Sequence, residues 1–244
     1  MNYVFSSYSE IGKRDKNEDS VLVGWMNCGL LAVVADGVGG ESGGEQASAL
    51  AVESIAAFLQ EREPSAEALK AAILEADQAV RHLKKDNAAP QTTVAALWLT
   101  EEKAFAAHVG DSRIYQLRDG EIIFRSRDHS LAYLAVLNGE ITPDEVPLQP
   151  ARNVILRSLG GGESVRADFS ELEIREGDAF LLCSDGFWEY VPERRMTEIE
   201  GTAKAEQQLR RLSRPARENA ADNNSAVLIL SPKTVEITDT EQTL

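Results

Sequence analysis

Short apolar runs that stop at an aspartate constrain this chain more than any other feature. Leu30-Leu31-Ala32-Val33-Val34-Ala35 halts at Asp36-Gly37, Ala104-Phe105-Ala106-Ala107-His108-Val109 at Gly110-Asp111, and Phe180-Leu181-Leu182-Cys183 at Ser184-Asp185-Gly186. A fourth aspartate, Asp222, stands just ahead of the last run, Ala226 to Leu230, and Glu18-Asp19 lies near the N-terminus beside Arg14. Runs of this length with turn signals at their ends read as buried strands. Carboxylates at the rim of buried sheets must be compensated. Two of them about 5 Å apart repel by roughly 3 kcal/mol at an effective dielectric near 20. If the strand ends converge, cations belong among them. An oxygen-only donor set without His or Cys partners selects Mg²⁺ or Mn²⁺. A cluster this rich in aspartate suits two ions, an arrangement that activates a bridging water for displacement at phosphorus.

The remaining pattern predicts strands over 3–9 and 20–26, then a helix starting just after Asp36-Gly37-Val38-Gly39-Gly40, where Ser42-Gly43-Gly44-Glu45 has capping-box spacing. A second helix follows Pro64-Ser65, with Leu69, Ala72, Ile73, Ala76, Val80 and Leu83 as its apolar stripe. Strands at 93–99, 104–110, 113–117 and 121–125 form a meander, the last pair joined by Asp119-Gly120, a strong hairpin signal. Asp128-His129-Ser130 caps a short helix through Leu137, closed by Gly139. A polar stretch with Pro143, Pro147 and Pro150 follows. Taken with the short helix, 131–156 reads as a flap. Strands at 171–174 and 179–184 around Glu176-Gly177-Asp178, a helix over 203–213 and a strand over 226–230 complete the order. Hairpin-connected pairs imply antiparallel sheets covered by helices. The expectation is one catalytic domain over 1–231 and a polar tail over 232–244.

The 244 residues carry a net charge of -15, which argues against a general basic surface for nucleic acid or anionic membrane. Cys28 and Cys183 share no metal-ligand spacing and read as free thiols. The arginines at 210, 211, 214 and 217 read as a solvated helix face. No run approaches the length of a membrane span, so the expected location is the cytosol.

Taken in order, Arg14-Asp15-Lys16-Asn17-Glu18-Asp19, Asp36-Gly37-Val38-Gly39-Gly40, Gly110-Asp111-Ser112-Arg113, Ser184-Asp185-Gly186 and Asp222-Asn223 resemble the metal-dependent type 2C (PPM-type) serine/threonine protein phosphatases over nearly the whole chain. The resemblance implies an α+β fold, a four-layer αββα sandwich with two central antiparallel sheets flanked by helix pairs. It implies a site for two Mn²⁺ or Mg²⁺ ions with a third held more weakly. In that scheme Asp36 bridges both ions, Gly37 adds its carbonyl, and Glu18 and Asp19 act at one ion, partly through waters. Asp185 and Asp222 bind the other ion. Asp111 serves the third, with Glu189 standing where an Asp is common, and His129 is an auxiliary candidate. Arg14 grips the substrate phosphate, since a guanidinium fork matches phosphate oxygens. Phosphoserine and phosphothreonine are then hydrolysed by direct attack of a metal-bridging water, in partnership with a cognate kinase and as a monomer. Val38 takes the place where some members carry a histidine, as in bacterial members, and Gln91-Thr92-Thr93 replaces a frequent Gly-Thr-Thr. The alternative is a catalytically silent member that keeps the fold as a binding module. A two-metal nuclease conflicts with the acidic charge.

Overall fold

The computed structural model describes residues 3–38, 43–83, 89–162, 164–200 and 204–231. Its elements run β1 (Val4–Glu10), β2 (Asp19–Met26), β3 (Gly29–Val38), α1 (Gly44–Leu59), α2 (Ala66–His82), β4 (Gln91–Thr92), β5 (Val94–Leu99), β6 (Lys103–Val109), β7 (Arg113–Arg118) and β8 (Glu121–Arg125). They continue with α3 (Leu131–Leu137), a 3₁₀ turn over Pro143–Leu148, β9 (Asp168–Glu173), β10 (Ala179–Cys183), α4 (Asp185–Trp188), α5 (Glu193–Met196), α6 (Ala205–Asn219) and β11 (Asn224–Leu230).

Two antiparallel sheets result. One has the order β1-β11-β10-β7-β8; the other runs β2-β3-β5-β6-β9, with β4 added on β3. The period-two geometry of a strand, with both faces of the sheet covered, explains why β3 is apolar from Leu30 to Ala35. Leu31, Val33 and Ala35 pack beneath α1 and α2, while Leu30, Ala32 and Val34 point into the space between the sheets. There they meet Phe180 and Leu182 of β10 and Val227 and Ile229 of β11. Leu181, Cys183, Ala226 and Leu228, on the opposite face, pack under Leu209, Leu212 and Ala216 of α6 and under Phe187 and Met196 of the short helices. Four layers follow: α1 and α2, sheet, sheet, and α6 with the short helices α3, α4 and α5.

Several elements depart from the sequence expectation for identifiable reasons. Helix α1 starts after Gly43, whose φ is +98°, without a side-chain cap. The expected cap Ser42, together with Gly39 and Gly40, lies outside the described residues, as does the 232–244 tail. The turn at 176–178 does not close a hairpin, because β9 pairs with β6 while β10 pairs with β7 and β11, so the chain changes sheets there. The flap contains regular structure beyond its first helix, since Thr142 and Glu145 cap the 3₁₀ turn reciprocally. Helix α6 runs past Pro215 to Asn219, because Ser213 and Ala216 bury against the sheet on either side of the proline. Asp119 and Gly120 take φ values of +50° and +80°, as a tight hairpin turn demands.

Candidate metal centre

The acidic residues come from both sheets and meet at one edge of the sandwich. In the register of β2 with β3, Asp19 pairs with Asp36, the start of β2 lying beside the C-terminal part of β3. From the other sheet, the end of β10 leads into Asp185, the first residue of α4, and Asp222 immediately precedes β11. Asp111 sits between β6 and β7, where the chain crosses between sheets at Gly110. A cleft of about 170 Å³ is lined by Arg14, Glu18, Asp36, Gly37, Asp111, Asp185 and Asp222, with Val38, Thr93, Asn153, Ile155 and Asn223 completing it. Asp19 lies behind this lining, its Oδ2 accepting from Ser184 Oγ at 2.8 Å.

Close backbone approach builds the floor. A Cβ on Gly37 would stand 2.3 Å from the Gly44 carbonyl oxygen and 2.8 Å from that of Glu18, so no side chain fits. The Asp36 amide donates to Thr93 Oγ1 at 3.0 Å, and its carbonyl accepts from the Thr93 amide and Thr92 Oγ1. The Arg14 loop is held by Asn223, whose Nδ2 donates to the carbonyls of Ile11 and Lys16 and whose Oδ1 accepts from the Glu18 amide, all at 2.8 Å. Gly12, at φ +62°, leaves room for the Asp222 carbonyl only 2.0 Å from where a Cβ would stand.

Electrostatics show what the cluster lacks. Burial first, then Asp19, Asp185, Asp111 and Asp222, pushes the Asp36 carboxyl well above the usual range. Asp185 is raised in the same way by burial, then by Asp111 and Asp222. Burial also raises Asp19 to about 6 and Asp111 to about 7. Two buried carboxylate oxygens, Asp19 Oδ1 and Asp185 Oδ1, have no hydrogen-bond donor among the described residues. Orphaned acceptors in a cluster of mutually repelling carboxylates fit hard divalent cations.

Among the described residues the single positive group in the lining is Arg14, whose Nη2 lies 2.5 Å from Asp222 Oδ2 with 56% of the side chain exposed. It pairs with Asp222 and not with its sequence neighbours Asp15 or Glu18. Glu189 stands outside the lining with Oε1 2.6 Å from Nε of the flap residue Arg152. His129 is also outside it. Its Nδ1 accepts from the Gly110 amide, its ring stacks on His108 at 4.6 Å, and Arg157 and Asp168 lie against Nε2. His108, His129 and Asp168 could converge on a metal, but the Arg157 guanidinium already bonds Asp168 at 2.9 Å.

Sequence reasoning missed Asn153 and Ile155 as cleft residues and Asn223 as the clamp of the Arg14 loop. The flap's length hinted at the first two. Nothing local announces the clamp, whose partners Ile11 and Lys16 are 212 and 207 residues away.

The family model for protein phosphatase 2C matches residues 8–227, and the chain belongs to that family. Over 222 residues it is 33% identical to the serine/threonine protein phosphatase PstP of Mycobacterium tuberculosis, covering 88% of this chain. The chain spans only 42% of that relative's length. It is 30% identical over 190 residues to the protein phosphatase PhpP of Streptococcus pneumoniae, covering 74% of this chain and 77% of PhpP. The crystal structure of the PstP catalytic domain in complex with two manganese ions superposes with a TM-score of 0.81 at 30% identity, covering 95% of this chain and all of that one.

Proposed function

We propose that the chain is a Mn²⁺- or Mg²⁺-dependent protein phosphatase that hydrolyses phosphoserine and phosphothreonine. The observation that carries this reading is the convergence of Glu18, Asp36, Asp185 and Asp222 from two sheets on one cleft, with buried carboxylate oxygens left unpartnered and Arg14 at its edge. Asp36, Gly37, Glu18 and Asp19 would hold one ion and Asp36, Asp185 and Asp222 the other, in keeping with the two manganese ions of the PstP catalytic domain. Bound there, such ions supply positive charge for phosphoryl oxygens and lower the pKa of a water. A weaker third ion at Asp111 and Asp185 would compete with Arg152 for Glu189.

The chain's own groups supply binding and orientation. Arg14, more than half exposed, can turn from Asp222 to a phosphoryl group and donate two parallel hydrogen bonds. Asn223 keeps the Arg14 loop in reach. Among the described residues no cysteine or histidine lines the cleft, and the Thr93 hydroxyl is occupied by the Asp36 amide and Ser112. Direct hydrolysis without a phosphoenzyme is therefore the consistent chemistry, and with Val38 at the cleft the leaving oxygen takes its proton from water. His129, bonded to the amide beside Asp111, suits a positioning role. Residues 1–231 would act as one catalytic unit, monomeric and cytosolic, opposing a serine/threonine kinase. No described helix is long and apolar enough to cross a membrane.

The test is hydrolysis of p-nitrophenyl phosphate. Activity should vanish with chelator, return with Mn²⁺ and be lost in Asp185→Asn. Turnover that survives either the chelator or the substitution would refute the proposal.

A further inference from the structure

A groove away from the acidic cleft has the opposite charge. This groove, of about 680 Å³ between α5 and α6, is lined by Arg195, Arg210, Arg211, Arg214 and Arg217, and among the described residues Glu218 is the one acidic member of its lining. Five guanidiniums on one face of a chain with net charge -15 are costly unless they serve something, because like charges at helical spacing repel. Arg210, Arg214 and Arg217 follow each other at i, i+4 and i+7 along one helix face, and Arg195 adds its charge from the opposite wall.

Internal partners account for only part of this charge. Arg214 pairs with Glu218 at 2.8 Å and Arg217 with Glu10 at 2.7 Å, and Arg211 donates to the Glu198 carbonyl at 3.1 Å. The guanidiniums of Arg195 and Arg210 have no ion pair or hydrogen bond among the described residues. From Gln207 to Glu218 the groove runs roughly 16 Å along the helix, the length of about five residues of extended peptide. Among the described residues its lining contains no aromatic ring for base stacking, and the acidic remainder of the molecule repels duplex DNA and anionic bilayers. Only Ala220 and Ala221 separate the end of α6 from Asp222 of the cleft.

We infer that this groove is a second binding site, which takes a phosphorylated segment of a protein through its free arginines. Clustered guanidiniums recognise phosphoryl groups by charge-assisted, forked hydrogen bonds. A multiply phosphorylated substrate would dock one phosphoryl group here and present another to the cleft. That use of the groove rests on the phosphatase reading, whereas the binding itself does not.

The probes are fluorescent peptides bearing a non-hydrolysable phosphonate analogue of phosphoserine at one position or at two, titrated into the Mn²⁺-loaded protein and read by anisotropy. The doubly substituted peptide should bind at least about tenfold more tightly than the singly substituted one, and added salt should shrink the difference. The double variants R195E/R210E and, as a milder control of folding, R195Q/R210Q should abolish that gain while leaving kcat/KM for p-nitrophenyl phosphate unchanged. Equal affinity of the two peptides for the unmodified protein would overturn the proposal, as would a gain that persists in both variants. Arginine-dependent capture of duplex DNA or phosphatidylserine vesicles without a peptide gain would replace it with a different ligand. Intact groove binding in a protein that does not hydrolyse p-nitrophenyl phosphate would remove the catalytic reading alone.

Discussion

Arg14 and His129 show how neighbours decide what a charged side chain can do. Arg14 is exposed enough that its loss should leave folding intact, yet no ammonium group reproduces its fork. Arg14→Lys should therefore lower kcat/KM on a phosphopeptide by about tenfold or more, with an unchanged melting temperature, in steady-state assays paired with thermal unfolding. His129 is pushed down to about 4, first by burial and then by the charges of His108 and Arg157. Its ring should stay neutral at pH 6, and its NMR titration midpoint should fall near 4; a midpoint at the ordinary 6.5 would show a solvated ring. Because the fold favours the neutral imidazole, His129 withdraws stability as pH falls from 6.5 towards 4. The aspartates of the cleft were legible one by one, since each follows or precedes an apolar run at a turn. Their partners were not. Asp222 finds Arg14 across 208 residues, a pairing no local pattern carries.

At the scale of elements, the sequence shows where strands lie better than which sheet they join. Asp119-Gly120 announced its hairpin correctly, because positive φ at both residues is a local demand. Glu176-Gly177-Asp178 looks alike on paper but turns a corner between sheets. The difference lies in buried Asp178, whose carboxylate takes hydrogen bonds from Arg118, Gln116 and the Arg175 amide and so fixes β10 beside β7. The corner between β1 and β2 depends on Gly12 in a comparable way. Gly12→Ala adds a methyl into the Asp222 carbonyl at a left-handed backbone position, and should cost about 2 kcal/mol or more in urea unfolding. Since the same loop carries Arg14, the substitution should also weaken phosphopeptide turnover. Helix α6 marks another limit of local reading, for its continuation through Pro215 is decided by burial of the turns around it.

The whole molecule brings its acidic cluster together at a cost in stability unless cations are present. Asp19 and Asp111 move from an ordinary 3.8 to about 6 and about 7, so without cations the folded state holds their protons more tightly than the unfolded chain does. Their contribution to stability is complete below about 3.8 and is lost as pH rises through 6 to 7. Cations bind the deprotonated form, so the rise in melting temperature on adding Mn²⁺ should grow from pH 4 to pH 7. Thermal unfolding with Mn²⁺ and with chelator across that range checks this, and a shift independent of pH would count against these carboxylates as ligands. The cluster draws Glu18, Asp19 and Asp36 from the β2-β3 side and Asp185 and Asp222 from the β10-β11 side, while Leu30, Ala32, Val34, Phe180, Leu182, Val227 and Ile229 meet as an apolar core between the sheets. Ions held there would act as a removable pin through two plates: the same event that arms the cleft would also lock the halves of the sandwich together.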